Sequence, residues 1–214
     1  QAFELISDEK ELAALTSEIY HRVSGEYPTE SDIKGLRTAI TYVKNQMLTQ
    51  EEIREMDKDL KGFSTMYREY DRILKERGCM DYDDQMVYAW QILRKYPDIL
   101  VAFQRRYHYI CVDEAQDTSK IQHEIVRLLA RDSGNLFMVG DEDQSIYGFR
   151  AAWPQALLEF EKVHKNAKIL LMERNYRSTP QIVSVADRFI QQNTDRRPKH
   201  MTAHRGDGKA VREI

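Results

Sequence analysis

The chain has 214 residues and a mass of 25.3 kDa, room for one substantial hydrophobic core or one core with a smaller companion, and too little for a large multidomain machine. Hydrophobic residues make up 42% and charged residues 31%, which speaks against a disordered polymer, and no run approaches the roughly 18 consecutive apolar residues of a transmembrane span. With 32 basic and 35 acidic residues the formal net charge is -3, so nucleic-acid contact would have to come from locally arranged arginines, helix ends and aromatic platforms.

The opening QAFELISDEK has neither the basic start nor the apolar run of a secretory signal, which points to an intracellular, cytoplasmic protein with no membrane partner. Cys79 and Cys111 stand far apart without a CxxC neighbour, arguing against a disulfide framework or structural zinc. Leu12, Leu15 and Ile19 mark one face of a first helix, and Ile33, Leu36, Ile40, Val43 and Met47 that of a second. Thr49 and Glu52 have capping-box spacing, and Ile53, Met56 and Leu60 continue into a third helix running toward Tyr70 and Leu74. Residues 1–80 therefore read as a helical subdomain. Asp81, Asp83 and Asp84 resemble either a metal cage or a helix cap, and without convergent ligands elsewhere capping a helix that carries Val87 and Trp90 is the stronger reading.

Beyond residue 80 the texture becomes α/β. The run from Tyr107 to Val112 predicts a buried strand ending at Asp113 and Glu114, followed by a helix capped by Thr118 or Ser119 with Ile121, Ile125, Leu128 and Leu129 on one face. Leu136 to Val139 predicts a second strand and Lys168 to Met172 a third, around a mainly parallel sheet. Pro180 opens a helix with Ile182, Val183, Ala186, Phe189 and Ile190 on its face. Thr194 to Lys209 reads as linker or loop, and the closing AVREI as the start of another strand.

Paired acids at a strand end suit Mg-nucleotide chemistry, one carboxylate organising Mg and the other orienting or deprotonating water, although a bare Asp-Glu pair is more often a surface or capping feature. Its neighbours sharpen that reading. VDEAQD at 112–117, GDEDQSIYGFRAA at 140–152 and NYRSTP at 175–180 together resemble the UvrD/Rep-like branch of superfamily 1A DNA helicases. The resemblance covers most of residues 80–193, with the preceding helical region similar in order and texture to the family's 1B subdomain. It implies a partial RecA-like P-loop NTPase lobe, 1A, over 81–193, a 1B-like subdomain over 1–80, and a linker and start of lobe 2A over 194–214.

The implied activity is ATP-driven 3′ to 5′ translocation on single-stranded DNA and unwinding of partially duplex DNA, with ATP and Mg as cofactors and other DNA-processing proteins as partners. Carried over by position, Asp113 binds Mg, Glu114 activates the attacking water, and Gln116 and Asp117 support them. Gln144 senses the γ-phosphate, Tyr176 packs beside adenine, and Arg177 is the arginine finger that also contacts nucleotide. Tyr147, Phe149 and Arg150 contact DNA, with Phe149 as a stacking platform where the commonest family form has tryptophan; Ala151 stands where glycine is frequent. Asn175 and Ser178 supply local hydrogen bonds. The MDYDD block at 80–84 resembles the return from the helical insertion and is architectural or DNA-adjacent.

No G-x-x-x-x-G-K-[ST] sequence occurs, so the phosphate cradle is missing, as are the family's later second-lobe motifs. The expectation is therefore a central fragment of a larger helicase, inactive alone. The contrasting expectation is a nonenzymatic nucleic-acid-binding or protein-interaction module.

Overall fold

The structure is a computed structural model that describes residues 3–145, 151–194 and 196–212. Helix α1, Glu9–Ser24, starts where the Asp8 side chain accepts from the Lys10 N–H and ends at Gly25, whose φ of 78° closes the last turn. Helix α2, Glu30–Gln46, opens on a reciprocal capping box between Thr29 and Asp32. The predicted apolar stripes face inward: Leu12, Leu15 and Ile19 from α1 meet Leu36, Ile40 and Val43 from α2 in one core.

The anticipated third helix is two helices. Thr49 and Glu52 do form the capping box of α3, Gln50–Glu55, but a 3-10 turn at Met56–Lys58 comes next, and α4 spans Phe63–Arg77. Gly62 interrupts the run at φ 78°, a conformation that side chains with a Cβ rarely adopt. Asp57 then accepts from both the backbone N–H and the hydroxyl of Ser64, at 2.7 and 2.6 Å, fixing the start of the new helix. Phe63, Met66, Tyr70 and Leu74 from α4 complete the core. A short parallel pair, β1 (Glu4–Leu5) with β2 (Cys79–Met80), brings the two ends of this helical unit together.

The acidic block is a helix cap. Asp81 and Asp84 form a capping box on α5, Tyr82–Lys95, and Asp83 accepts from Thr41 and Asn45 of α2, both at 2.7 Å. Among the described residues no group of three or more His, Cys, Asp or Glu side chains could hold a metal ion. Lys44 from α2 reaches Asp81 and Asp84, each at 2.7 Å, which ties the helical unit to α5. Helix α6, Pro97–Arg106, is not anticipated by the sequence pattern; Pro97 at its first turn removes an N–H that would have had no helical partner.

Strand β3, Ile110–Val112, pairs in parallel with β4, Leu136–Met138, and α7, Lys120–Ala130, crosses between them from a capping box formed by Ser119 and Gln122. The expected strand from Tyr107 is thus shorter and less buried. Tyr109 is 77% exposed and Cys111 is exposed too, because among the described residues β3 and β4 pair only with each other and one face of the ladder remains open. After two single-turn helices, α8 (Gln155–Leu158) and α9 (Phe160–Val163), the expected strand Lys168–Met172 does not form. No ladder partner reaches it among the described residues, and Leu170 and Met172 lie exposed.

The pairing occurs slightly later, between β5 (Arg174–Asn175) and β6 (Thr202–Ala203), again in parallel. Helix α10, Pro180–Ile190, starts where predicted but buries only Val183; Ile182 and Phe189 face outward. The α/β class with parallel pairing stands, among the described residues as three two-stranded ladders in place of one continuous sheet. Strand β6 forms inside the stretch Thr194–Lys209 that reads as loop, and the irregular residues 196–201 before it are pinned by side-chain bonds to the turn after β4. Among the described residues no helix is long and apolar enough to cross a membrane.

Candidate active site

Asp113 and Glu114 leave the C-terminal end of β3 in a sharp turn. The Asp113 carboxylate accepts from the Glu114 N–H at 2.9 Å, and Glu114 adopts φ 48°, ψ 43°, a left-handed conformation uncommon for a residue with a side chain. Such strain persists only where neighbours over-determine it. Here the Ala115 N–H donates to the Val139 carbonyl at 2.9 Å, locking the turn against the end of β4.

Gln116 makes the second connection. It is 1% exposed, donating through Nε2 to Glu114 Oε2 at 2.6 Å and accepting through Oε1 from the Asp141 N–H at 3.0 Å. Its backbone carbonyl accepts from the Ser145 hydroxyl at 3.2 Å. Gly140 is required for this approach: a Cβ there would meet Gln116 Oε1 at 2.8 Å and Leu157 Cδ1 at 2.7 Å. The Gln144 side-chain amide donates to Asp141 Oδ2 at 2.8 Å. The structure therefore gathers Asp113, Glu114, Gln116 and Gln144 at the ends of two adjacent parallel strands, where open α/β sheets bind ligands.

Behind this turn, His123 of α7 contacts the Thr118 hydroxyl and, at 3.2 Å, the Ala115 carbonyl, while its ring lies 5.9 Å from that of Trp153. Burial holds its pKa below the usual histidine value, which favours the neutral ring.

Tyr176 and Arg177 lie on the separate β5–β6 ladder. Asn175 Oδ1 accepts from the N–H groups of Arg177 and Ser178 at 2.9 and 2.8 Å, and the exposed Tyr176 ring packs 4.8 Å from His204. No hydrogen bond or ion pair among the described residues joins Tyr176 or Arg177 to Asp113, Glu114 or Gln144. Asp117 is exposed, its N–H donating to the Glu114 carbonyl at 2.9 Å. Tyr147, Phe149 and Arg150 lie outside the described residues.

Sequence reasoning missed the basic cluster opposite the 141–143 turn. Arg196 forms a two-pronged pair with Asp143 at 2.8 and 2.7 Å, and Lys199 reaches Asp141 at 2.6 Å, Asp143 at 3.2 Å and Glu142 at 3.4 Å. The Arg197 N–H donates to Glu142 at 2.9 Å. Burial opposes the Lys199 charge, but the surrounding carboxylates outweigh it and raise its pKa; for Asp143, burial pushes upward and the Arg196 and Lys199 contacts prevail, holding it low. The signal was charge complementarity between DED at 141–143 and RRPK at 196–199, which no helix or strand period reveals.

A sequence profile of the UvrD/REP helicase N-terminal domain matches residues 1–165. The chain belongs to the UvrD/Rep helicase family. It is 39% identical over 174 residues to an ATP-dependent DNA helicase PcrA of Staphylococcus epidermidis strain RP62A, covering 80% of this chain and 24% of that protein. To an ATP-dependent DNA helicase PcrA of Staphylococcus aureus strain Mu50 it is 37% identical over 175 residues, 81% of this chain and 24% of the relative. The chain thus spans about a quarter of the length of these relatives. The UvrD/Rep match takes in the acidic pair, Gln116 and the turn carrying Gln144, and stops before Asn175–Pro180 and the basic cluster.

Proposed function

We propose that this chain supplies the central part of an ATP-dependent 3′ to 5′ single-stranded-DNA translocase and helicase. Residues 1–80 serve as a 1B-like helical subdomain, 81–193 as part of a RecA-like 1A motor lobe, and 194–214 as the passage into lobe 2A. The Glu114–Gln116–Asp141 bridge carries the reading, because it links an acidic pair at one strand end to a glutamine-bearing turn at the next.

Two adjacent carboxylates offer the hard oxygen donors that Mg takes alongside nucleotide phosphates and water; Mg needs no closed protein cage. Asp113 would hold the ion. When bound, Mg-ATP supplies the phosphoryl group and screens its charge. Glu114, oriented by Gln116, accepts the proton of the attacking water. Gln144 reads the γ-phosphate, and Arg177 stabilises charge on the transferred group while Tyr176 packs on the base, which requires the β5–β6 unit to close over the site. Tyr147, Phe149 and Arg150 bind the DNA strand by stacking and backbone contact. Partially duplex DNA is the substrate for unwinding, with other DNA-processing proteins as partners.

The test is Mg-dependent ATP hydrolysis stimulated by single-stranded DNA in the full-length protein containing this chain, beside its Glu114→Gln variant. DNA-stimulated turnover lost on substitution supports the motor. Folded protein with no turnover points instead to a nonenzymatic binding module. The isolated chain, which lacks the G-x-x-x-x-G-K-[ST] sequence, is expected to show negligible turnover and no processive unwinding.

A further inference from the structure

We propose that Lys199 is a positioning residue for nucleotide sensing: with Arg196 it latches the segment leading into β6 onto the 141–143 turn and sets the charge of the carboxylate that holds Gln144. The inference rests on the motor reading and goes beyond it by adding a control element that no sequence motif marks.

Three observations carry it. First, the Asp141 carboxylate is shared: Oδ1 takes Lys199 Nζ at 2.6 Å and Oδ2 takes the Gln144 amide at 2.8 Å. Lys199 is therefore one carboxylate away from the side chain assigned to the γ-phosphate. Second, the same Asp141 donates its backbone N–H to Gln116, which in turn holds Glu114, so the anchor of Gln144 and the orientation of Glu114 meet at one residue. Third, the latch is shielded. Arg196 and Asp143 have side chains 7% and 11% exposed, and Lys199 is 11% exposed, so the pairs that Asp143 makes with both cations are screened by water much less than surface pairs, while Asp141, 37% exposed, stays open to solvent and to an incoming phosphate.

The physical consequence is a competition for the Gln144 donor. An incoming γ-phosphate must draw that amide from Asp141. Lys199 neutralises Asp141 and so weakens its hold, and it also offsets three carboxylates that would otherwise repel a triphosphate. Because Lys199 stands three residues before β6, which pairs with the strand leading to Tyr176 and Arg177, movement of that ladder and release of Gln144 are mechanically joined.

Steady-state ATPase of the full-length protein with saturating oligothymidylate tests this. Lys199→Met should raise the KM for ATP about tenfold, because Asp141 without its cation holds Gln144 more tightly and the three carboxylates repel the triphosphate, with kcat changed less than about twofold. Lys199→Arg should return KM close to that of the parent. A merely structural lysine would lower both variants' folded fraction and leave KM unmoved. As a second route, Arg196→Asp should raise KM, and adding Asp143→Arg should bring it back. Unchanged KM in Lys199→Met, or no recovery in the charge-swapped pair, with Glu114-dependent turnover intact, overturns the latch and leaves the motor reading standing. A parent protein without Glu114-dependent turnover overturns both.

Discussion

The side-chain amide of Gln116 holds the Glu114 carboxylate at 2.6 Å while its oxygen accepts from the Asp141 N–H at 3.0 Å. A side-chain amide carries a donor and an acceptor on separate atoms, so it can donate to an acid and accept from a backbone N–H at once. Gln116→Leu keeps the volume and removes both bonds, leaving Asp141 N–H without its partner; a loss of about 1–3 kcal/mol in stability is expected. In the full-length protein, ATP hydrolysis should fall about 10- to 100-fold, the usual effect of removing a group that orients a catalytic ligand. Gln116→Glu is more diagnostic: it sets a second acid against Glu114 in place of the donor, so ATP hydrolysis should fall at least as far as in Gln116→Leu. Turnover in Gln116→Glu equal to that of the parent would show that Glu114 does not feel this neighbour.

Gly140→Ala tests the same junction sterically. The added methyl would meet Leu157 Cδ1 at 2.7 Å and Gln116 Oε1 at 2.8 Å, with the Ala115 backbone nitrogen at 3.2 Å. Leu157 is the end of a flexible side chain and can turn away, but Gln116 is held at both ends and the Ala115 N–H is bonded to Val139. A cost of about 1–3 kcal/mol is expected from overpacking, read by denaturant unfolding at constant m-value. Adding Gln116→Ala should recover part of it, since the clash partner is then gone, whereas additive losses would place the strain elsewhere.

The helices that bury a periodic stripe were legible in the sequence: Leu12, Leu15 and Ile19, then Leu36, Ile40 and Val43, lie in the core as their spacing predicts. So were the capping box at Thr49 and, as one of two candidates beside Thr118, the cap at Ser119, because a cap is a local bond between residues about three apart. The parallel pairing of the strands expected after Tyr107 and from Leu136 was legible too, but where other strands and helices begin and end was not. Apolar composition at Lys168–Met172 predicts a strand, but a strand needs a neighbour, and the ladder forms at Arg174–Asn175 where β6 arrives. Gly62 broke a helix whose periodicity ran on through it. At the site, the strand-end position of Asp113 and Glu114 was visible from an apolar run ending in acid, while the Gln116 bridge and the Arg196–Asp143 pair join residues 25 and 53 apart in sequence. Neither leaves a periodic trace.

His123 links stability to pH. Burial disfavours the charged imidazolium, and the ring's contacts with Thr118 and the Ala115 carbonyl lie directly behind the acidic turn. The folded pKa lies below 6.5, so the unfolded chain takes up the proton first. Stability from this residue is fully present above pH 6.5 and is lost as pH falls below that value toward the folded pKa. The Ala115 carbonyl and the adjacent Glu124 raise the pKa and so narrow the window without reversing the sign. Unfolding midpoints between about pH 7.5 and 5 should decline on the acid side, and His123→Gln should flatten that decline. A wild-type midpoint that rises on acidification, or an unchanged slope in the variant, would remove His123 as the source.

Lys44 offers the sharpest test of how the helical unit is tied to the rest. Its ammonium, 3% exposed, sits 2.7 Å from both Asp81 and Asp84, and the Tyr70 hydroxyl donates to the same Asp81 oxygen at 2.9 Å. Burial pushes the Asp81 carboxyl upward, yet the Lys44 charge and hydrogen bonds outweigh it and hold that group below its ordinary range. Both acids also cap α5, so the ion pair and the helix start are one structure. Removing the cation alone strands two buried carboxylates, and Lys44→Met should cost about 3–5 kcal/mol. The pair is not expected to be strongly stabilising in itself, because burying three charges opposes much of their attraction. The triple variant Lys44→Met, Asp81→Asn, Asp84→Asn should therefore recover most of the loss, asparagine at position 81 still capping the helix. If the triple variant is no more stable than Lys44→Met, the charges themselves, and not the stranding of their partners, hold α2 to α5.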